Sequence, residues 1–338
     1  MNRLIYFGFF IVIAVFINRI YIDLEYITVI LSAFLFPLLF IFFLQRIDVF
    51  ERENIKDILY VFIFGCVASF VLSLIYVPVR NFFVPENQCS ELLICLFSVA
   101  LPEEIIKIIP FVLVLKYRKF IDEPIDYLIY ASASALGFAF IENIQYIYSY
   151  SDLGGIVATR SFLPLIMHMV TSSILAFGIF LYANSKRIKY IFYGLIIASF
   201  LHAAYNSLPI GFLVLIFMLI YYARLIQSLL NISPFYDESK ENDIHSCSNF
   251  LLYILIFILI LDFTYDIYHN GTAIIFENPL GYIFTLFIPY AIYKIISSRL
   301  SLKKANFIAL GTRNSNFKLI IEMQDIIISY YKKHHNKS

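Results

Sequence analysis

Charge is scarce along these 338 residues: Asp, Glu, Lys and Arg together make up only 14%, against 61% apolar residues. That balance, with a mean hydropathy of +0.82, excludes a soluble globular chain and describes a polytopic membrane protein. The net charge of +1 comes with no Gly-rich phosphate loop and no basic aromatic groove, so a nucleic-acid partner is excluded. Cysteine is equally sparse. Cys66, Cys89, Cys95 and Cys247 fall in different segments without a CxxC spacing, which excludes a zinc ribbon or redox pair and leaves helix-packing residues or free thiols. Inverted repeats, low-complexity tracts and an HExxH helix are also missing, and the first of these absences counts against a secondary transporter.

What the chain has in quantity is apolar runs long enough to cross about 30 Å of hydrocarbon. They begin at Leu4, Ile27, Ile58, Leu92, Ile125, Phe162, Ile188, Ile210, Phe250 and Leu280. The expectation is an all-α, polytopic integral membrane protein of about ten transmembrane helices with a soluble C-terminal tail. The run from Leu4 to Ile22 has no small-residue cleavage pattern after it and reads as a retained span. Five units follow: an N-terminal transmembrane hairpin (1–45), a membrane core (46–230), a polar cytoplasmic loop (231–249), a transmembrane pair (250–297) and a cytoplasmic tail (298–338). Within the tail, Phe317 to Tyr331 is amphipathic and suits a membrane surface or a docking partner.

Lys and Arg set the orientation. With the N-terminus inside, the inner loops carry Arg46, Arg52 and Lys56, then Lys116, Arg118 and Lys119, then Lys186, Arg187 and Lys189, while the outer loops carry only Arg19, Arg80 and Arg160. Both termini are then cytoplasmic, in what is expected to be a bacterial cytoplasmic membrane.

Against that background four polar clusters stand out inside apolar runs. They are Pro102-Glu103-Glu104 with Lys107, Gly137-Phe138 through Glu142-Asn143, His168, and His202 with Asn206. Each ionisable group at the bilayer centre costs at least about 2.5 kcal/mol on insertion scales, so such residues mark a reaction or transport site. At 100° per residue Glu103, Glu104 and Lys107 share one helical arc, with Pro102 able to loosen the backbone before them. The ammonium can keep one carboxylate ionised while burial tunes the other for proton transfer. His202 and Asn206, at i and i+4, can donate to a developing oxyanion. At 1.5 Å per residue, Glu103 lies about 16 Å below the outer surface, His168 and His202 about 10 Å and Glu142 about 9 Å. All fall in the outer half of the bilayer. Plain structural roles compete at each position: Lys107 can simply neutralise a neighbouring glutamate, and His168 or Asn206 can bond between helices.

In order and setting these clusters resemble the motifs of the PrsW-type intramembrane proteases, distant relatives of the CAAX-prenyl endoproteases and bacteriocin-processing enzymes. Glu103-Glu104-x-x-Lys107 resembles the family's EExxK, Gly137-Phe138-x-x-x-Glu142-Asn143 its GFxxxEN, His168 its single mid-helix histidine and His202-x-x-x-Asn206 its HxxxN. Asp48 to Glu53 resembles the acidic entry loop, with Glu53-Asn54 in place of Glu-Pro. The likeness runs from about Arg46 to Leu208. It implies hydrolysis of a peptide bond in a membrane-protein substrate within the lipid bilayer, an anti-sigma factor in the prototype. Glu103 or Glu104 would activate water, His202 and Asn206 would steady the oxyanion, and Glu142 with His168 would complete the water or metal site, with Lys107 and Asn143 supporting. Glu142, His168 and His202 can supply an open zinc site, while a metal-free glutamate mechanism uses the same residues. A proton- or ion-coupled transporter and a silent membrane scaffold are the competing classes.

The charge pattern yields a direct test. A cysteine introduced between Tyr148 and Thr159 should react with an impermeant thiol reagent in intact cells, and one placed between Lys186 and Lys189 should not; the opposite pattern inverts the topology.

Overall fold

The computed structural model describes residues 24–83, 91–117, 121–149, 163–270, parts of 287–300 and 318–335, and every regular element among them is helical. In chain order these are α1 (Leu24–Ile47), α2 (Ile55–Phe83), a short turn α3 (Leu92–Cys95), a π-helical segment (Leu96–Ala100), α4 (Leu101–Tyr117), α5 (Pro124–Ser149), α6 (Leu163–Ser185), α7 (Lys189–Ser207), α8 (Gly211–Asn231), α9 (Glu241–Asn270) and α10 (Lys318–His335). Among the described residues five helical stretches are long and apolar enough to span a bilayer: Ile55–Tyr76, Pro124–Tyr146, Leu163–Ser185, Gly211–Asn231 and Glu238–Ile260. The chain is therefore an all-helical, multi-pass membrane protein. The expected first span lies outside the described residues, and the tenth lies largely outside them.

The helices sort into a buried pair and a lipid-facing shell. α5 and α6 are covered by the others along nearly their whole length, whereas α2 is mostly open. Around the outside α2 presents Phe70, Leu74 and Ile75, α7 presents Ile196 and Phe200, and α8 presents Leu213 and Phe217. An exposed apolar surface of this kind is stable only against lipid.

Between apolar helices in lipid there is no hydrophobic drive, so close packing must hold them. The small-residue run Ala131 to Gly137 lets α2 lie directly on α5. A methyl group on Gly137 would sit 1.9 Å from the Phe62 carbonyl oxygen, and one on Gly65 would sit 2.1 Å from that of Ser134. Ser132 and Ser173 then bond α5 to α6 (2.9 Å), and the Ser134 hydroxyl donates to the Lys107 carbonyl (2.6 Å), fixing α4.

Three local features depart from expectation. The polar stretch 231–249 is only partly a loop: a turn capped by Asp237, whose side chain accepts from the Ser239 N–H at 2.9 Å, leads into α9 at Glu241. Ile244, Cys247 and Leu251 recur at helical spacing on its buried face, so the helix extends past the apolar run. The amphipathic tail segment docks on its own chain, with Tyr330 edge-on to Phe180 (5.3 Å) and Glu322 accepting from Lys189 and Tyr190. Cys95 is disulfide-bonded, while Cys66 and Cys247 are free thiols.

Because the atoms facing Gly137 are backbone, they cannot yield by a rotamer change. Gly137→Ala should push α2 from α5 and destabilise the protein by about 1–3 kcal/mol, the usual range for overpacking, read as a lower thermal midpoint in detergent. An unchanged midpoint would contradict the close crossing.

Candidate active site

The approach to the site is a distorted piece of helix. Pro102 has no N–H to offer the Ser98 carbonyl four residues back, and the chain there widens into the π-helical segment Leu96–Ala100. The Tyr76 hydroxyl, from α2, donates to that Ser98 carbonyl at 3.0 Å. A proline-disrupted turn thus leads straight into the two glutamates that open α4.

From there the site assembles around one ammonium. Lys107 is fully buried and donates to Glu104 Oε1 at 2.6 Å and to His168 Nδ1 at 2.7 Å, with its charge 5.3 Å from the centre of the Phe138 ring. Glu104, equally buried, accepts two further hydrogen bonds on the same oxygen, from the Thr171 hydroxyl and from His202 Nδ1, each at 2.9 Å. A carboxylate with three donors on one oxygen is held in place and held ionised. Donation by His202 Nδ1 leaves the Nε2 lone pair free, and that atom lies 3.7 Å from Glu103 Oε2. His168 Nε2 meets Glu142 Oε2 at 2.8 Å. The two imidazoles stand edge to face with ring centres 5.1 Å apart.

Six of the residues singled out from sequence therefore converge from four helices: Glu103, Glu104 and Lys107 on α4, Glu142 on α5, His168 on α6 and His202 on α7. The floor, made of Glu104, Lys107, His168 and His202, is sealed, while the Glu103 and Glu142 side chains keep 13% and 23% of their surface. That difference gives the cluster an accessible side. Asn206 is not part of the sealed floor; it lies one turn beyond His202 and is exposed. Asn143 is buried next to Glu142, with its amide nitrogen unpaired among the described residues.

The donor set able to hold a metal ion differs in one member from that expected. Oxygen and nitrogen atoms of Glu103, His168 and His202 lie within 4.8 Å of one another, while Glu142 sits behind His168 as its hydrogen-bond partner. One carboxylate and two imidazoles are the donor types of an open catalytic zinc site; His202 has Nε2 free for an ion, and His168 would offer Nε2 on giving up its bond to Glu142. Thr171 was not singled out from sequence. Its only signal is its place three residues after His168, on the same face of α6.

Comparison with known proteins agrees with this arrangement. The sequence model of the family described as "PrsW family intramembrane metalloprotease" matches residues 53–227, a stretch that contains every residue of the cluster. "Protease PrsW" of Geobacillus kaustophilus (strain HTA426) is 30% identical over 164 residues, which cover 48% of this chain and 70% of that protein. "Protease PrsW" of Clostridioides difficile (strain 630) is 30% identical over 172 residues, covering 49% of this chain and 72% of that protein. No solved structure matches the chain. With half of its length matched and the polar cluster gathered in one buried site, the chain belongs to the PrsW family of intramembrane metalloproteases.

Proposed function

We propose that the chain hydrolyses a peptide bond of a membrane-associated protein at the cluster of Glu103, Glu142, His168 and His202, in the outer half of the bilayer. The observation that carries this reading is the convergence of Glu103, His168 and His202 within a sealed apolar bundle. Ionisable residues at such depth mark a reaction or transport site by default, and the family is one of peptidases. The Cys95 disulfide supports the orientation, since disulfides persist on the oxidising, extracytoplasmic side, and Cys95 lies on the segment that leads into the glutamates.

Glu103, His168 and His202 would hold a divalent ion such as zinc, which would polarise the scissile carbonyl and activate water. The other groups have separable tasks. Glu104 orients His202 through Nδ1 and has its charge met by Lys107, so it is a positioning residue and a poor proton acceptor. Glu142, partly exposed and bonded to His168, is the carboxylate left to take a proton from water and pass it to the leaving amine. Asn206, exposed at the mouth, supplies an amide donor to the carbonyl oxygen of the substrate. The substrate class, a regulatory membrane protein such as an anti-sigma factor, follows from the family likeness. Ten spans with both termini cytoplasmic complete the proposal.

The roles separate in two readouts, metal content and turnover. Glu103→Gln, His168→Ala and His202→Ala should lose bound metal and activity together. Glu142→Gln should keep the metal while turnover falls about a hundredfold or more. Asn206→Ala should keep the metal and lose about a hundredfold in kcat. A chelator should silence the wild type and metal add-back should restore it. Substrates would appear in comparative membrane proteomics as fragments made by wild type and not by Glu103→Gln. Full turnover by the Glu103→Gln, Glu142→Gln double variant would overturn the assignment.

A further inference from the structure

At the far end of α5 lies a second group of buried acids that the peptidase site does not use. Asp126 and Glu142 are about 24 Å apart along the helix at 1.5 Å per residue, so the two groups are separate. Asp48 is fully buried at the end of α1, and its two oxygens accept from the backbone N–H groups of Glu51 (3.2 Å) and Glu53 (3.1 Å). Asp126 receives the N–H groups of Asp122 (3.0 Å) and Glu123 (2.9 Å) on Oδ2. The Tyr130 hydroxyl donates to Glu53, and the Ser233 hydroxyl, just beyond α8, donates to Glu123.

Those bonds account for only part of the oxygen inventory. Among the described residues Asp126 Oδ1 and Glu123 Oε1 meet no donor, on residues that are 1% and 2% exposed. Other carboxyls adjoin them: Glu53 lies within hydrogen-bonding reach of Asp126, and Asp48 within reach of Glu123. Among the described residues no Lys or Arg forms an ion pair with any of the four. Buried carboxyl groups set against one another need a cation or shared protons between them.

We propose that Asp48, Glu53 and Asp126 form a second cation site, completed by Glu123, that takes a hard divalent ion of the calcium or magnesium class. One oxygen from each of the three lies within 4.8 Å of the others. Two oxygens each at about 2.1–2.4 Å from one ion can be no farther apart than about 4.8 Å, so the spacing is compatible with a shared ion. All four side chains offer oxygen alone, with no imidazole or thiolate, which selects against zinc and copper. The ion would clamp the 48–53 loop to the start of α5 and, through Glu123 and Ser233, to the end of α8. Protons are the rival counter-charge, since burial pushes Asp48 up to about 6 and Glu53 up to about 7.

Terbium luminescence on the full-length protein in detergent tests this, because Tb3+ enters calcium sites. The chain has no Trp, so tyrosine is the sensitiser, and Tyr130 touches Glu53. Wild type should give saturable emission displaced by Ca2+ or Mg2+, and His202→Ala should keep it. Asp126→Asn and Glu53→Gln should each lose it, and Tyr130→Phe should dim it. Ca2+ or Mg2+ should also raise the thermal midpoint of wild type and of His202→Ala at neutral pH, but not that of the Asp126 or Glu53 variants. If Asp126→Asn fails to fold, the wild-type titration and Glu53→Gln still decide. A folded wild type without saturable emission, emission that survives in Glu53→Gln, or stabilisation seen only on acidification would overturn the proposal.

Discussion

A single buried ammonium organises the membrane core. Lys107 is fully buried, and its stability rests on Glu104, on His168 and on the face of Phe138. Meeting that demand fixes the site. Glu104 is drawn to Lys107, the same oxygen captures His202 and Thr171, and His168 is turned so that its other nitrogen reaches Glu142. Four helices are thereby tied at one level by bonds that are strong only because lipid and protein exclude water. The ion pair therefore explains the orientation of both histidines and the ionised state of Glu104.

Backbone proximity makes that geometry available. Gly65 and Gly137 bring α2 against α5 with no side chain between, and the Ser134 hydroxyl then ties α5 to α4 at the Lys107 carbonyl. The proline at 102 loosens the entry to α4, while Tyr76 takes up the carbonyl that the proline cannot bond. α5 serves as the spine, with the histidine–glutamate cluster near one end and the carboxylate group at the other. Sequence features that look unrelated, a Gly-Phe pair, a Pro-Glu-Glu run and an acidic loop, all pack against this one helix.

Much of the site was legible in the sequence, for a physical reason. Charge inside an apolar run is costly enough to be conspicuous, so Glu103, Glu104, Lys107, Glu142, His168 and His202 identified themselves, and helical spacing put the first three on one arc. Pairings across helices were not legible. That Glu103 comes within reach of both histidines while Glu142 bonds to His168, that Thr171 completes the Glu104 shell, and that Asn206 lies exposed while His202 is sealed all depend on how α4 to α7 rotate against one another. Hydropathy likewise missed the first turns of α9, where polar residues alternate with Ile244 and Cys247 at helical spacing, and cysteine spacing gave no sign of the Cys95 disulfide. The self-docking of the tail rests on Glu322 finding Lys189, a contact between residues 133 positions apart in the sequence.

The central claim is that the buried Lys107–Glu104 pair holds His168 and His202 in place, and a double-mutant cycle with metal content as a second readout tests it most directly. Lys107→Met and Glu104→Gln should each leave an uncompensated buried partner and cost about 3–5 kcal/mol of stability. The double variant, neutral again, should recover most of that stability while still failing to retain the metal, because His202 and His168 have lost their anchors. Additive losses in the cycle, or a double variant that binds metal as the wild type does, would contradict the account.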